Sequence, residues 1–177
     1  TRQAPAGLDL HKHLEQFVFD ELMFKQELPL MYPDEADVIK VQQAMFDPFE
    51  YLMLRSKAGK LNTDFKKPLG KISYHVACHQ RVQRIGMKTR EALELIPDTE
   101  VLPIERCSGH DGTYTFKSEY HDTAMKICRP VVSKVKQQEA DVYTSDCAMA
   151  GHHIEAGLAD GSKPVNPISL IRQAYGI

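Results

Sequence analysis

The sequence predicts an α/β domain with a small parallel β-sheet and flanking helices, preceded by an α-helical N-terminal segment. Two observations lead to this prediction. After Gly70, short strand-like apolar runs alternate with longer stretches of helical period, in the order β-α-β-α-β-α. Before Gly59, apolar residues recur with helical spacing only. Because parallel strands need crossover connections, the alternation indicates a parallel sheet with right-handed crossovers.

The first 59 residues are predicted to be helical. The predicted helices cover residues 9–28, 35–45 and 49–57. Asp9 can cap the first of them, in which leucine or valine repeats every four residues, and Pro29 and Pro33 are expected to end it. The polar segment 59–70 contains Gly, Asn and Pro and is the expected boundary with a domain over residues 70–177.

Three strands and four helices are predicted after this boundary. The predicted strands cover residues 72–76, 101–104 and 142–144, and the predicted helices cover residues 79–96, 113–135, 148–158 and 168–174. The long helix 113–135 is expected to bury Phe116, Tyr120, Ala124, Ile127, Val131 and Val135. A glycine-containing turn over residues 108–112 leads into it.

Composition excludes several classes of function. The 22 Lys and Arg residues nearly balance the 24 Asp and Glu residues, without a basic stripe, so nucleic-acid binding is not expected. The apolar runs are short, so no membrane span is expected. The first residues show no secretory pattern, and the four cysteines match neither a zinc ribbon nor a small disulfide scaffold. We therefore expect a cytoplasmic protein.

Three of the four cysteines directly follow predicted strands: Cys78, Cys107 and Cys147. Since neighbouring parallel strands end at the same edge of a sheet, we expect these thiols to gather where open α/β folds bind their ligands. A helix start follows each of them and favours the thiolate form. Thiolates bind zinc, iron and iron–sulfur clusters, so the pattern predicts a metal site. Cys128 lies in the middle of a predicted helix and is expected to be a small buried hydrophobic residue.

Three motifs resemble one known module. They are YHVACH at residues 74–79, CSGHDGTYTFK at residues 107–117 and SDCAMA at residues 145–150. In this order they resemble the cysteine-rich CCG domain found in subunits of heterodisulfide reductase and of anaerobic glycerol-3-phosphate dehydrogenase. The resemblance runs from about Gly70 to the end. Family members often carry two such modules, and residues 22–38 look like the connector after a first one, so the chain resembles the C-terminal half of a two-module protein.

The resemblance implies an iron–sulfur cluster, or zinc as in some copies of the module. It further implies electron transfer or thiol/disulfide redox chemistry, together with a redox partner protein or other subunits of an oxidoreductase complex. Two family cysteines are missing, since Ser108 and Ala150 stand at their positions. Only Cys78, Cys107 and Cys147 carry over as ligands.

A histidine follows two residues after each replaced cysteine: His110 after Ser108, and His152 after Ala150. Imidazole binds zinc and iron, so either histidine, or both, can complete a Cys₃His or Cys₃His₂ site. The centre is thus expected to be an iron–sulfur cluster, with zinc or mononuclear iron as alternatives. The alternative function is a zinc-stabilised module with a structural or partner-binding role.

The remaining histidines are assigned no ligand role. His75 is expected to pack or to donate a hydrogen bond that orders the site. His153 is expected to face away from the site, and His11, His13 and His121 look like solvated helix positions. The chain has no phosphate-binding glycine motif and no Ser-His-Asp arrangement, so neither nucleotide binding nor hydrolysis has specific support.

Overall fold

A computed structural model describes residues 23–110, 115 and 117–177. The predicted helix over residues 9–22, the histidines His11 and His13, the turn residues 111–114 and Phe116 lie outside the described residues. The chain divides into two compact units, with the boundary between Tyr51 and Leu52.

The described part of the first unit is helical. A short π-helix over Met23–Glu27 leads into α1 (Leu28–Met31), which is followed by α2 (Ala36–Ala44). Of Pro33 and Pro29, the two prolines expected to end the first predicted helix, Pro29 does not do so. This proline stands in the first turn of α1, where a helix needs no backbone N–H donor, and the helix ends at Met31 instead.

Helix α3 (Pro48–Lys57) crosses the boundary between the units and begins at a side-chain cap. One carboxylate oxygen of Asp47 accepts the backbone N–H groups of Phe49 (2.8 Å) and Glu50 (3.2 Å). These are two of the N–H groups that a helix start otherwise leaves without a partner.

The second unit contains a three-stranded sheet. Its strands are β1 (Gly70–His75), β2 (Thr99–Ile104) and β3 (Val142–Ser145), arranged in the order β2-β1-β3. Both neighbouring pairs are parallel, so the predicted α/β class is confirmed. In this register the last residue of β1, His75, lies opposite Ile104 and Ser145. The carboxyl ends of all three strands therefore meet at one edge.

In the part of the unit that the structure describes, five α-helices flank this sheet: α4 (Cys78–Gln83), α5 (Lys88–Leu93), α6 (His121–Gln138), α7 (Ala148–Leu158) and α8 (Pro167–Ala174). A short 3₁₀ turn, Ser118–Tyr120, precedes α6. Two hydrophobic clusters pack against the sheet. The first joins β1 and β2 to α5 and α8 through Ile72, Tyr74, Val101, Leu93 and Leu170. The second joins β2 and β3 to α6 and α7 through Ile104, Tyr143, Cys128, Val131 and Ile154.

Two of the predicted helices differ from the observed ones. The single helix over residues 79–96 is in fact α4 and α5. The break falls at Arg84 and Gly86, which both have positive φ (55° and 83°) and so cannot continue a right-handed helix. The long helix begins at His121 and continues through Pro130 to Gln138.

The buried face of α6 also differs from the predicted one. Its buried residues are Ala124, Cys128, Val131 and Val132. Tyr120 and Ile127 were expected on this face, yet they are 41% and 43% exposed. Tyr120 precedes the helix, in the 3₁₀ turn. Packing of α6 against α7 buries Val132 instead of Ile127.

The helices of the described residues do not include any that is long and apolar enough to cross a membrane.

Candidate metal centre

The three cysteines singled out in the sequence all follow strand ends in the structure. Cys78 is the first residue of α4, Cys107 follows β2, and Cys147 is the N-cap residue of α7. Cys78 and Cys107 are exposed, Cys147 is half-buried, and none of them forms a disulfide. The sheet edge thus carries three reduced thiols, one after each strand.

Each of these thiols has a hydrogen-bond donor or a helix N-terminus beside it. The Nη2 atom of Arg81 donates to Cys78 Sγ at 3.3 Å. The backbone N–H of Gly109 donates to Cys107 Sγ at 3.4 Å. Cys147 stands at the positive N-terminus of the eleven-residue helix α7. The chemistry of this donor set fits a soft metal, because sulfur is a soft donor and N–H groups such as these are typical hydrogen-bond partners of metal ligands.

The donor side chains of the described residues do not form a compact group. Among residues 23–110, 115 and 117–177, no three His, Cys, Asp or Glu side chains lie close enough together to hold one metal ion. A centre held by the three thiols therefore requires the cysteine loops to close around it.

The two candidate histidines have different surroundings. His152 lies on α7 with 61% of its side chain exposed, and its Nδ1 atom is 3.0 Å from the Glu155 carboxylate. His110 is half-buried in the loop after β2, and its Nε2 atom is inaccessible to solvent. Of the two, only His110 holds a buried ring nitrogen next to a cysteine loop.

His153 was expected to face away from the site, but its ring lies near the loop that carries His110. Burial, with smaller contributions from His110 and His121, lowers the pKa of His153, while the Ala124 backbone acts in the opposite direction. Its Nε2 atom is buried and makes no hydrogen bond to any described residue. The sequence contained no signal for this, because the side of α7 that meets the loop depends on how the helices cross.

Cys128 is fully buried on α6, as predicted from the sequence, and yet it is not remote from the sheet edge. Burial raises the pKa of the Cys128 thiol to about 11, and the charge of Cys107 adds to this effect. Its sulfur is 3.9 Å from the carbonyl oxygen of His153. The structure thus brings Cys128 and His153 towards the loop after β2, which sequence reasoning missed.

Gly109 explains how this loop approaches α6 so closely. Its φ of +79° belongs to the left-handed region, and an added Cβ would overlap the carbonyl oxygen of Ala124. The same Cβ would stand 3.3 Å from the backbone nitrogen of Cys128. Only glycine fits at position 109 while the loop lies on this turn of α6.

Asp146, directly before Cys147, is held from two sides. One carboxylate oxygen accepts the hydroxyl of Thr89 at 2.7 Å, and the other accepts the hydroxyl of Tyr74. Both donors are fully buried. This arrangement fixes the start of the Cys147 loop relative to β1 and α5.

Comparison with known proteins gives one line of similarity. Over 110 residues, or 61% of the chain, the sequence is 33% identical to a subunit of the anaerobic glycerol-3-phosphate dehydrogenase of Escherichia coli strain K12. The corresponding protein of Escherichia coli O157:H7 matches equally well. The aligned part is 27% of these proteins, so the chain spans about a quarter of the curated relatives it matches. No protein-family model matches the chain. The similarity supports the family resemblance inferred from the motifs.

Proposed function

We propose that this chain is a metal-binding redox module of an oxidoreductase and that its centre is an iron–sulfur cluster. The observation that carries the proposal is the set of three reduced thiols that follow the three strands of one parallel sheet. The similarity to a subunit of an anaerobic dehydrogenase supports a redox role. The module corresponds to residues 70–177.

In this proposal Cys78, Cys107 and Cys147 hold the metal, and His110 or His152 completes the site. Arg81 and Gly109, which donate hydrogen bonds to two of these sulfurs, would remain as hydrogen-bond partners of the metal-bound ligands. The buried Nε2 atom of His110 favours it over the exposed His152 as the fourth ligand.

A bound cluster would supply one-electron transfer. The residues of the chain would hold it, exclude water from the face towards α6, and set its potential through N–H···S hydrogen bonds such as that from Gly109. The electrons would pass to a redox partner protein or to other subunits of a complex, as the name of the similar dehydrogenase subunit suggests.

A zinc-stabilised structural or partner-binding module is the second candidate. It is favoured by Ser108 and Ala150, which replace two cysteines of the family pattern and leave three thiols. Three thiolates and one imidazole form a closed tetrahedral zinc site, which needs no redox chemistry.

Metal analysis of protein purified without oxygen separates these possibilities. An iron–sulfur module is brown, contains iron and sulfide in similar amounts and gives an EPR signal after reduction, whereas a zinc module is colourless. A Cys107→Ser variant should lose the metal, and a Cys128→Ser variant should keep it. A wild-type protein that binds neither iron nor zinc in stoichiometric amounts would overturn both proposals.

A further inference from the structure

His75 is a buried polar residue at the centre of the cysteine-bearing edge. It ends β1, the middle strand of the sheet, and only 2% of its surface is exposed. Because β2 and β3 lie on either side of β1, this ring stands between the two strand ends that lead to Cys107 and Cys147.

Both ring nitrogens of His75 make hydrogen bonds, one to each neighbouring strand end. The Nε2 atom is 2.9 Å from the carbonyl oxygen of Arg106, and the Nδ1 atom is 3.0 Å from the hydroxyl of Ser145. A carbonyl oxygen only accepts, so Nε2 must carry the hydrogen. In the neutral ring Nδ1 then accepts from the Ser145 hydroxyl.

The chain of hydrogen bonds continues to the cysteines. The Ser145 hydroxyl oxygen accepts the backbone N–H of Cys147 at 3.2 Å. At the other end, Arg106 directly precedes Cys107. A continuous chain of hydrogen bonds therefore links the backbones of the two cysteine loops through one imidazole. It runs from the Cys147 N–H through the Ser145 hydroxyl and the His75 ring to the Arg106 carbonyl.

Burial keeps this imidazole neutral. Desolvation lowers the pKa of His75, and the nearby Arg81 and His79 act in the same direction, whereas the hydrogen bond to Arg106 opposes them. A neutral ring with one donor and one acceptor matches the carbonyl on one side and the hydroxyl on the other.

We propose that His75 is a positioning residue that holds the backbones of Cys107 and Cys147 at a set separation. Its importance for a metal centre rests on the proposed function, in which both cysteines are ligands. The positioning itself can be measured on metal-free protein, so the two claims can fail separately.

Two conservative variants test the two hydrogen bonds of the His75 ring separately. The side-chain amide of His75→Gln can reach the position of Nε2 and keep the Arg106 bond, while it loses the bond to Ser145. The shorter amide of His75→Asn can occupy the position of Nδ1 and keep the Ser145 bond, while it loses the bond to Arg106. Each variant therefore releases a different cysteine loop.

The readouts are amide hydrogen exchange at Cys147 and Gly109, and iodoacetamide alkylation of Cys147, in metal-free protein. His75→Gln should speed exchange and alkylation at the half-buried Cys147 by roughly three-fold or more, as expected for the loss of one net hydrogen bond. His75→Asn should instead leave Cys147 unchanged and speed amide hydrogen exchange at Gly109 to a similar extent, because a loosened loop loses the N–H···S bond that Gly109 donates to Cys107.

Val131→Ala is the matched structural control. Val131 is fully buried in the cluster on the α6 side of the sheet, so its truncation costs stability without touching this chain of hydrogen bonds. It should leave both cysteine loops unchanged. Identical patterns in the Gln and Asn variants, or no change in either, would overturn the positioning role.

Wild-type protein provides a test that needs no variant. Nitrogen-15 NMR of the His75 ring at neutral pH should show the neutral form with hydrogen on Nε2, and hydrogen on Nδ1 would overturn the proposal. If wild-type protein binds no metal but these patterns hold, the proposed function fails and the positioning role stands. If it binds metal through Cys107 and the variants change neither loop, only the positioning role fails.

Discussion

Gly109 lies directly against the carbonyl oxygen of Ala124, so the loop between Cys107 and His110 rests on one turn of α6. This contact explains why Cys107, although exposed at the sheet edge, contributes to the raised pKa of the fully buried Cys128, for which burial is the larger cause. Because of this contact, a single methyl group added at position 109 should displace the loop.

Replacing Gly109 with Ala should displace this loop. The left-handed backbone costs about 1–2 kcal/mol in any L-residue, and overlap with α6 adds about 1–3 kcal/mol. Gly161→Ala is the control, since its φ is also positive (+84°) but its added Cβ would meet none of the described atoms within 4 Å. We expect urea unfolding to show the larger loss for Gly109→Ala, together with loss of metal. Equal losses in the two variants would show that the close approach to α6 is unimportant.

The four cysteines should separate into two groups. Cys107→Ser should release the metal, because an alcohol is a much poorer soft-metal ligand than a thiolate at neutral pH. Cys128→Ser should leave the metal content unchanged and cost about 1–3 kcal/mol, since it buries a hydroxyl among apolar residues. Metal analysis and urea unfolding check both variants. Equal metal loss would mean that Cys128 is a ligand or supports one.

We expect the effect of each histidine substitution on the metal centre to follow the burial of that histidine. We expect His110→Ala to change the metal stoichiometry or spectrum more than His152→Ala, because His152 is exposed and paired with Glu155. His121→Ala is the control at an exposed position. An unchanged centre in both single variants and in their double variant would exclude these histidines as ligands and leave water, Ser108 or a residue of a partner protein to complete the site.

Metal-free protein should lose stability as the pH falls below the ordinary histidine range. Burial lowers the pKa of His75 below 6.5, so the unfolded chain binds a proton at a higher pH than the folded chain. The free energy of unfolding is then highest above pH 6.5 and falls as the pH drops from there to the folded pKa of His75.

Urea unfolding between about pH 7.5 and about pH 5 measures the slope of the free energy of unfolding against pH. His75→Gln should make the slope shallower, without abolishing it, because burial lowers the pKa of His153 as well. Val131→Ala is the control, since it removes no titratable group and should lower the free energy of unfolding without changing this slope. A wild-type slope in the His75 variant would mean that this ring does not titrate differently in the folded and unfolded chains.

The order of elements after Gly70 could be predicted from the sequence because it depends on local hydrophobic period. Alternation at Ile72, Tyr74 and Val76 marks one face of a strand in the sheet, and all three residues are buried in the structure. The position of three cysteines after three strands is equally local, and parallel topology then places them at one edge. Neither feature depends on which helices pack against each other.

Helix ends and helix crossings were decided by tertiary structure. The break at Arg84 depends on a left-handed residue that no sequence period reveals, and the buried stripe of α6 depends on its packing against α7. The same crossing turns His153 towards His110 and brings Cys128 near Cys107. The sequence by itself thus determined the fold class and the thiols that follow each strand. Only the tertiary structure decided what surrounds them, because contacts between distant segments follow from packing rather than from periodicity.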